Sequence, residues 1–258
     1  MKIGLIGGGA VAQFLLDTLE KQKNSSLEIT NILVRDREKY QHLTKKYDVT
    51  LHTNIEQFLA EPTDIVVEAA TVEAVEKYLP LILPRKDVVV ISIGAFVDQG
   101  FLQRMTDLAQ EYGRTIYLPS GAIGGLDLLQ HAQALDGLHE VSLTTRKPAH
   151  TLTAETITKE KVIFQGTAEQ AIQQFPKNIN VAIVLSLATI GIEQTKVTII
   201  ADPEAKNNEH RIDATGEFGT MSLTVTNEPL PSNPKTSYLA ALSLFSTLKN
   251  LNQAIKIG

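Results

Sequence analysis

The first 118 residues alternate short apolar runs with segments whose apolar residues recur at helical spacing. Such alternation is typical of strand–helix–strand units, whose right-handed crossovers make the strands parallel. Val88–Ile91 is apolar without interruption, as expected for a strand that helices cover on both faces. We therefore predict a doubly wound α/β domain with a parallel sheet. Its predicted strands are Lys2–Ile6, Leu27–Val34, Ile65–Ala69, Val88–Ile93 and Thr115–Leu118, and its predicted helices are Val11–Leu19, Asp36–Lys46, Val72–Leu83 and Asp98–Tyr112.

Three glycines directly follow the first predicted strand and precede the first predicted helix. From Gly7 the chain reads Gly-Gly-Gly-Ala-Val-Ala, which fits the G-x-G-x-x-A pattern of dinucleotide-binding turns. In that pattern Gly7 permits the tight turn, Gly9 lets the backbone approach a pyrophosphate, and Ala12 lets helix and strand pack closely. The helix start at Ala10 and Val11 would then offer backbone N–H groups to the phosphates. This predicts a Rossmann-type domain; the alternatives are a turn without a ligand and a secretory signal peptide, whose helix the glycines would break.

The end of the second predicted strand carries charges that bear on the choice of cofactor. Asp36 is placed to accept a hydrogen bond from a free ribose 2′-hydroxyl, which favours NAD. Arg35 and Arg37 flank it, and either guanidinium could hold the 2′-phosphate of NADP. We therefore expect NAD as the cofactor with NADP tolerated. The alternative is that Asp36 only caps the helix that follows.

The second half of the chain has many strand patterns and few helices between them. It begins with Pro119–Gly125, a loop of small residues that could let the backbone approach a bound ring or could be an interdomain hinge. Several strands with few helices predict an α+β domain whose sheet has one free face, the kind of face that commonly meets its twin in another subunit. The predicted strands are Glu140–Arg146, Lys161–Gln165, Lys196–Ala201, His210–Gly216 and Met221–Thr226, and the predicted helices are Leu126–Ala134, a short one capped by Thr167 and Gln170, Ile179–Ile190 and Tyr238–Leu248.

We expect a dinucleotide-binding domain at 1–119, joined by a returning helix within 235–258, and a substrate and dimerisation domain at 120–234. The composition of the whole chain excludes several classes of function. The chain has no cysteine, which excludes disulfides, thiolate metal sites and a cysteine nucleophile. Its formal charge of −5 and 5% aromatic content argue against general nucleic-acid binding. No run of 18 apolar residues occurs, so we expect no membrane span and no membrane partner.

One of the six histidines lies in a stretch dense with polar residues. His210 ends the segment 202–210 and opens a predicted strand, which could hold its imidazole rigidly. With an ordinary pKa near 6.5, such an imidazole can move protons around neutral pH. The other five fit ordinary structural or surface positions, and a structural role is the alternative for His210 as well. Two further segments, 175–180 and 233–237, place Lys177 and Lys235 near predicted helix starts, where anion anchors or ordinary caps are both possible.

These segments together resemble the L-aspartate dehydrogenase family. The resemblance runs from the glycine turn through Pro119–Asp127, Phe175–Ala182 and Ala201–His210 to Asn233–Ser237, in the family's order and over nearly the whole chain. It implies oxidation of L-aspartate by NAD or NADP to iminoaspartate, which hydrolyses to oxaloacetate and ammonia or feeds NAD biosynthesis. It also implies a homodimer or higher homo-oligomer formed through the second domain's sheet. We expect a cytoplasmic enzyme that needs no metal.

The resemblance also implies roles for individual residues. His210 matches the family's active-site histidine, and it would accept a proton or position the attacking water. Ala122 and Asn180 match residues that contact the cofactor, and Asn208 matches a substrate-binding position. We expect the substrate's carboxylates to be held by some of Ser120, Lys177, Lys235 and Thr236. The alternatives are a two-domain reductase of the dihydrodipicolinate or homoserine type and a dinucleotide-binding sensor without catalysis.

Overall fold

The computed structural model describes residues 1–22, 26–175 and 179–255. The chain folds into two compact units, each with its own main sheet. Unit 1 contains Met1–Pro119 together with the last helix from Ala241 onward, and unit 2 contains Ser120–Ala240. In the described ranges, no helix is long and apolar enough to cross a membrane.

Unit 1 is built on a six-stranded sheet in which every neighbouring pair is parallel. Its strands are β1 (Lys2–Ile6), β2 (Glu28–Leu33), β3 (Thr50–His52), β4 (Ile65–Glu68), β5 (Asp87–Val90) and β6 (Ile116–Tyr117). Its helices are α1 (Ala10–Lys21), α2 (Arg37–Lys46), α3 (Ile55–Ala60), α4 (Val72–Ile82) and α5 (Gln99–Glu111). The order β3-β2-β1-β4-β5-β6 confirms the predicted doubly wound sheet and puts its switch point between β1 and β4.

The sequence prediction for unit 1 differs from the structure in three places. Strand β3 and helix α3 were not predicted, because three and six residues are too few to show a clear period. Strand β5 ends at Val90 and not at Ile93, and Ile93 is instead the first residue of a 3₁₀ turn over Ile93–Val97. Asp36 precedes α2 as its N-cap and is not its first residue.

The core of unit 1 lies between the sheet and the helices that flank it. Ile3, Leu5 and Val67 are fully buried on the central strands. Leu244 and Leu248 of the last helix are fully buried in the same cluster. Full burial of a leucine contributes roughly 1.5–3 kcal/mol, so this helix is an integral part of unit 1.

Unit 2 contains a five-stranded mixed sheet in the order β11-β10-β7-β9-β8, in which only β7 and β9 are parallel among the described strands. Its strands are β7 (Leu138–Pro148), β8 (Lys161–Thr167), β9 (Lys196–Asp202), β10 (Asn208–Gly216) and β11 (Gly219–Asn227), and β12 (Pro229–Leu230) pairs with β13 (Asn233–Ser237). Its helices are α6 (Leu126–Gln133), a 3₁₀ turn at Ala149–Thr151, α7 (Ala168–Gln174) and α8 (Asn180–Leu187), and α9 (Tyr238–Leu251) leads into unit 1. The α+β prediction is confirmed.

The main sheet of unit 2 has one buried and one polar face. Along β7, Val141, Leu143 and Thr145 are buried, and the residues between them are more exposed. On the polar face, Arg146 donates a hydrogen bond to Asp202 at 2.8 Å. The predicted capping box at the start of α7 is confirmed, with Thr167 and Gln170 each bonding to the other's backbone.

Candidate active site

Unit 1 has a cavity of about 550 Å³ at the carboxyl ends of β1, β2 and β4. This is the switch point of the sheet, where open parallel α/β sheets bind their ligands. The size is in the range of ordinary small-molecule pockets. The lining residues come from the glycine turn and from the ends of β2 and β4 with the helices that follow them. They are Ile6–Gly9, Leu33–Asp36, Lys39, Tyr40, Ala69–Thr71, Glu73, Ala74, Lys77 and Tyr78.

The three glycines of the turn differ in what surrounds them. Gly7 has φ +104°, and a Cβ there would lie 2.6 Å from the Ala69 carbonyl oxygen, so the turn itself requires glycine. A Cβ on Gly8 would lie 2.5 Å from the ring of Tyr40. A Cβ on Gly9 would have no neighbour within 4 Å. Gly9 therefore borders open space in the cavity, as a backbone that approaches a pyrophosphate requires.

The first turn of α1 offers an anion its backbone donors. Gly9 is the N-cap and has no side chain to occupy the N–H groups that follow, at Ala10 and Val11. The positive end of the helix dipole lies at the same place. This arrangement fits the pyrophosphate of a dinucleotide.

The residues that were expected to bind the ribose line the cavity at the end of β2. The Asp36 carboxylate accepts a hydrogen bond from the Lys39 backbone N–H at 3.0 Å and so caps α2. Asp36 also lines the cavity, so capping and a position beside a ligand are compatible. Arg35 lines the cavity as well, together with Lys39 and Lys77, which the sequence did not suggest.

The buried carboxylate of Glu68 connects the ends of β4 and β5 through hydrogen bonds. Glu68 is 2% exposed, and its Oε1 accepts hydrogen bonds from the Ala70 N–H at 2.7 Å and the Ser92 hydroxyl at 3.0 Å. Its Oε2 accepts one from the Ser92 N–H at 3.1 Å. Burial raises the pKa of Glu68, and these hydrogen bonds oppose the rise. Because Ala70 lines the cavity, Glu68 fixes part of the cavity wall.

In unit 2, His210 lies on the buried face of the sheet and is 5% exposed. Strand β10 pairs His210 with Thr145 of β7, and the Thr145 hydroxyl is 3.0 Å from His210 Nδ1. Burial first, and then the positive charge of Lys147, lower the pKa of His210 to about 4. The imidazole is therefore neutral at pH 7.

Asn227 brings two distant segments to the same edge of that sheet. Its Nδ2 donates to the Ala122 carbonyl at 3.0 Å, and its Oδ1 accepts from the Ser237 hydroxyl. Asn227 also pairs with Asn208 in the ladder between β11 and β10, two residues from His210. Ala122 and Asn208, both suggested by the sequence, thus lie at the His210 end of the sheet. Asn227 itself was missed, because its partners lie up to 105 residues away along the chain.

The other expected substrate and cofactor residues are more dispersed. Ser120 is half-buried at the start of unit 2, and Asn180 is the exposed first residue of α8. Thr236 is half-buried, and its hydroxyl accepts a hydrogen bond from Asn233 at 3.1 Å. Lys235 is exposed on β13, three residues before α9 begins at Tyr238, so it lies near a helix start as expected. Lys177 lies outside the described residues.

The fold of unit 1 and its glycine-lined cavity define a dinucleotide-binding protein of the dehydrogenase type. Residues 7–119 match the family model for the NAD-binding domain of homoserine dehydrogenase, and residues 127–251 match that for the carboxyl-terminal domain of aspartate dehydrogenase. The chain is 41% identical to the L-aspartate dehydrogenase of Archaeoglobus fulgidus and 37% identical to that of Methanococcus maripaludis, with coverage of 99% or more of every chain. It belongs to the L-aspartate dehydrogenase family, as the sequence analysis expected.

Solved structures agree with this assignment. The crystal structure of aspartate dehydrogenase from Thermotoga maritima superposes with a TM-score of 0.80 at 29% identity, covering 100% of this chain and 99% of that one. A homoserine dehydrogenase from Thiobacillus denitrificans has a TM-score of 0.62 at 15% identity, covering 97% of this chain and 73% of that one. At that identity the second likeness concerns the fold alone.

Proposed function

We propose that this protein oxidises L-aspartate with NAD or NADP to iminoaspartate, which water converts to oxaloacetate and ammonia, or catalyses the reverse reductive amination. The observation that carries the chemistry is the buried, neutral imidazole of His210. The amine of aspartate must lose its proton before the Cα–H bond can be cleaved as hydride. A neutral imidazole held by Thr145 is suited to accept that proton or to orient the water that adds to the imine.

Unit 1 supplies the residues that would hold the cofactor. Gly7 and Gly9 shape the turn, and the N–H groups of Ala10 and Val11 would bind the pyrophosphate. Asp36 would accept from the ribose, and Arg35 would favour a 2′-phosphate, which supports use of both NAD and NADP. When bound, the cofactor supplies the acceptor for the hydride.

Unit 2 supplies the residues proposed to act on the substrate and on the nicotinamide end of the cofactor. Asn208 is supported as a substrate ligand by its place two residues from His210 on β10. Ala122 is supported as a cofactor contact by its anchoring to Asn227, and we propose Asn180 for the same role. Ser120, Lys177, Lys235 and Thr236 remain candidates for the substrate's carboxylates.

The proposal extends to assembly and cellular role. We propose a homodimer or larger homo-oligomer in the cytoplasm, formed through unit 2, with iminoaspartate available for NAD biosynthesis. The proposed contact surface between subunits is the polar face of the unit 2 sheet, which carries Arg146 and Asp202. Light scattering after size exclusion measures the subunit number, and a monomer would contradict the proposed assembly.

The decisive assay mixes the protein with oxaloacetate, ammonia and either NADH or NADPH and follows absorbance of the reduced nicotinamide. Oxidation of the cofactor only when both oxaloacetate and ammonia are present is the expected result. The oxidative direction is then tested with L-aspartate, homoserine and a panel of other amino and hydroxy acids. Activity with homoserine but not aspartate would favour a homoserine-type reductase, and cofactor binding without turnover would favour a sensor.

His210→Ala tests the assigned base. We expect kcat to fall by about a hundredfold or more, the usual scale for a general acid–base group, with KM for the cofactor close to wild type. His42→Ala is the matched control, because His42 is exposed on α2 of unit 1. Near-normal turnover of His210→Ala would remove His210 from the chemistry.

A further inference from the structure

Lys147 is the neighbour of His210 on the buried face of the unit 2 sheet, although nothing in the sequence singled it out. Thr145 and Lys147 are buried on β7, and Arg146 between them is more exposed, so both buried side chains lie on the same face. His210 pairs directly with Thr145, which makes Lys147 its diagonal neighbour in the ladder. Diagonal neighbours are roughly 7–8 Å apart at the backbone, within reach of a lysine side chain.

The burial of Lys147 is unusual for its residue type. It is 9% exposed, and it is the single buried lysine or arginine in the part of the chain that the structure describes. Lysine is almost never buried in proteins without a polar or charged partner, because its ammonium group loses water. Burial lowers the pKa of Lys147, and the charge of Lys147 in turn lowers the pKa of His210. The positive charge of Lys147 therefore acts on the imidazole of His210.

On β9 and β11, the residues paired directly with Lys147 and His210 are apolar, and two asparagines lie on the same face of the sheet. Lys147 pairs with Ala201 on β9, and His210 pairs with Val225 on β11, so neither neighbouring strand places a charge directly opposite them. Asn208, two residues before His210 on β10, pairs with Asn227 on the edge strand β11. A cation, a neutral imidazole and two amides thus lie together on one face.

We propose that Lys147 binds one of the two carboxylates of the substrate while His210 handles the proton of its amine. The inference rests on the proposed function, because it places the amino-acid substrate at His210. A dicarboxylic amino acid needs cations for its carboxylates, and a desolvated ammonium holds a carboxylate more strongly than a surface lysine does. The same charge favours the neutral form of the imidazole, so Lys147 would both bind the substrate and set the protonation state of His210.

The test compares Lys147→Met, Lys147→Arg and Lys159→Met, the last as the exposed-lysine control in unit 2. We expect Lys147→Met to raise KM for L-aspartate at least thirtyfold, the scale of losing one partner of a buried charge pair, with KM for NAD within twofold of wild type. The acid limb of kcat/KM should move to higher pH, because removing the cation raises the pKa of His210. Lys147→Arg keeps the positive charge and should therefore restore part of the aspartate KM and part of the pH profile. If Lys147 had only a structural role, this recovery would not be expected.

A second measurement is independent of turnover and of the cofactor. Succinate, a four-carbon dicarboxylate, should raise the melting temperature of the wild type and of Lys159→Met but not that of Lys147→Met. If Lys147→Met does not fold, Lys147→Gln carries the same comparison. Unchanged aspartate KM and pH profile, with succinate stabilisation retained, would overturn the inference and leave the proposed function intact. A wild type without aspartate-dependent reduction would instead overturn the proposed function, and the succinate comparison would then decide on Lys147 alone.

Discussion

At the scale of single residues, adjacent glycines of the turn have separable roles. A methyl group at Gly8 would collide with Tyr40, and one at Gly9 would enter open cavity space. We expect Gly8→Ala to lower the melting temperature, since overpacking of this kind typically costs about 1–3 kcal/mol. Gly9→Ala should fold with a smaller loss but raise KM for NAD and NADP together. Thermal denaturation and cofactor kinetics on both variants measure this, and a wild-type KM for Gly9→Ala would contradict the pyrophosphate assignment.

His210 makes a second residue-scale prediction, for stability against pH. Its pKa is about 4 in the folded protein and near 6.5 when unfolded, so between these values the unfolded state binds more protons. The contribution of His210 to stability should therefore be constant above pH 6.5 and decline as the pH falls toward 4, by up to about 3 kcal/mol. Urea unfolding of the wild type and of His210→Gln at pH 7, 6, 5 and 4 measures it. His42→Gln, at an exposed position, should track the wild type, and parallel curves for all three proteins would contradict the prediction.

At the scale of elements, the N-cap of α2 links helix stability to cofactor choice. Asp36→Ala removes both the cap and the proposed ribose acceptor, so it should lower stability by about 1 kcal/mol and raise KM for NAD. Asp36→Asn keeps an oxygen that can accept from the Lys39 N–H but loses the negative charge. We expect it to be nearly as stable as the wild type, with preference shifted toward NADP, because Arg35, Lys39 and Lys77 line the same cavity. Equal KM ratios for NADP and NAD in all three proteins would exclude Asp36 from the site.

The elements also show what the sequence could predict and what it could not. The turn at Gly7 and the helix after it were predictable, because strand, turn and helix are adjacent in the chain and each leaves a local pattern. Strand β13 was not predicted, because it contains a proline and polar residues and has only two-residue β12 as its partner. His210 could be chosen from its polar surroundings, but Lys147 could not. Its place beside His210 depends on the register of β7 against β10, which joins residues 65 positions apart.

At the scale of the whole molecule, the proposed cofactor cavity lies in unit 1 and the proposed base lies in unit 2. Stabilisation of the fold by NAD should therefore be separable from catalysis. A ligand that binds only the folded state at a hundred times its Kd stabilises by about 2.7 kcal/mol, so NAD should raise the melting temperature of the wild type. His210→Ala should retain most of that rise while losing turnover, because His210 belongs to unit 2. Gly9→Ala should lose most of the rise, since Gly9 borders the cavity of unit 1.

Differential scanning fluorimetry with NAD, NADP and no cofactor, run on the wild type and on these two variants, gives the comparison. ATP, which lacks the nicotinamide half, is the control for binding of an adenine nucleotide alone, and it should give a smaller rise in all three proteins. If His210→Ala loses the NAD-dependent rise to the same extent as Gly9→Ala, the base and the cofactor cavity cannot be assigned independently to the two units. If Gly9→Ala keeps the full rise, the pyrophosphate does not lie against the glycine turn, and the cavity at the switch point of the sheet is not the cofactor site.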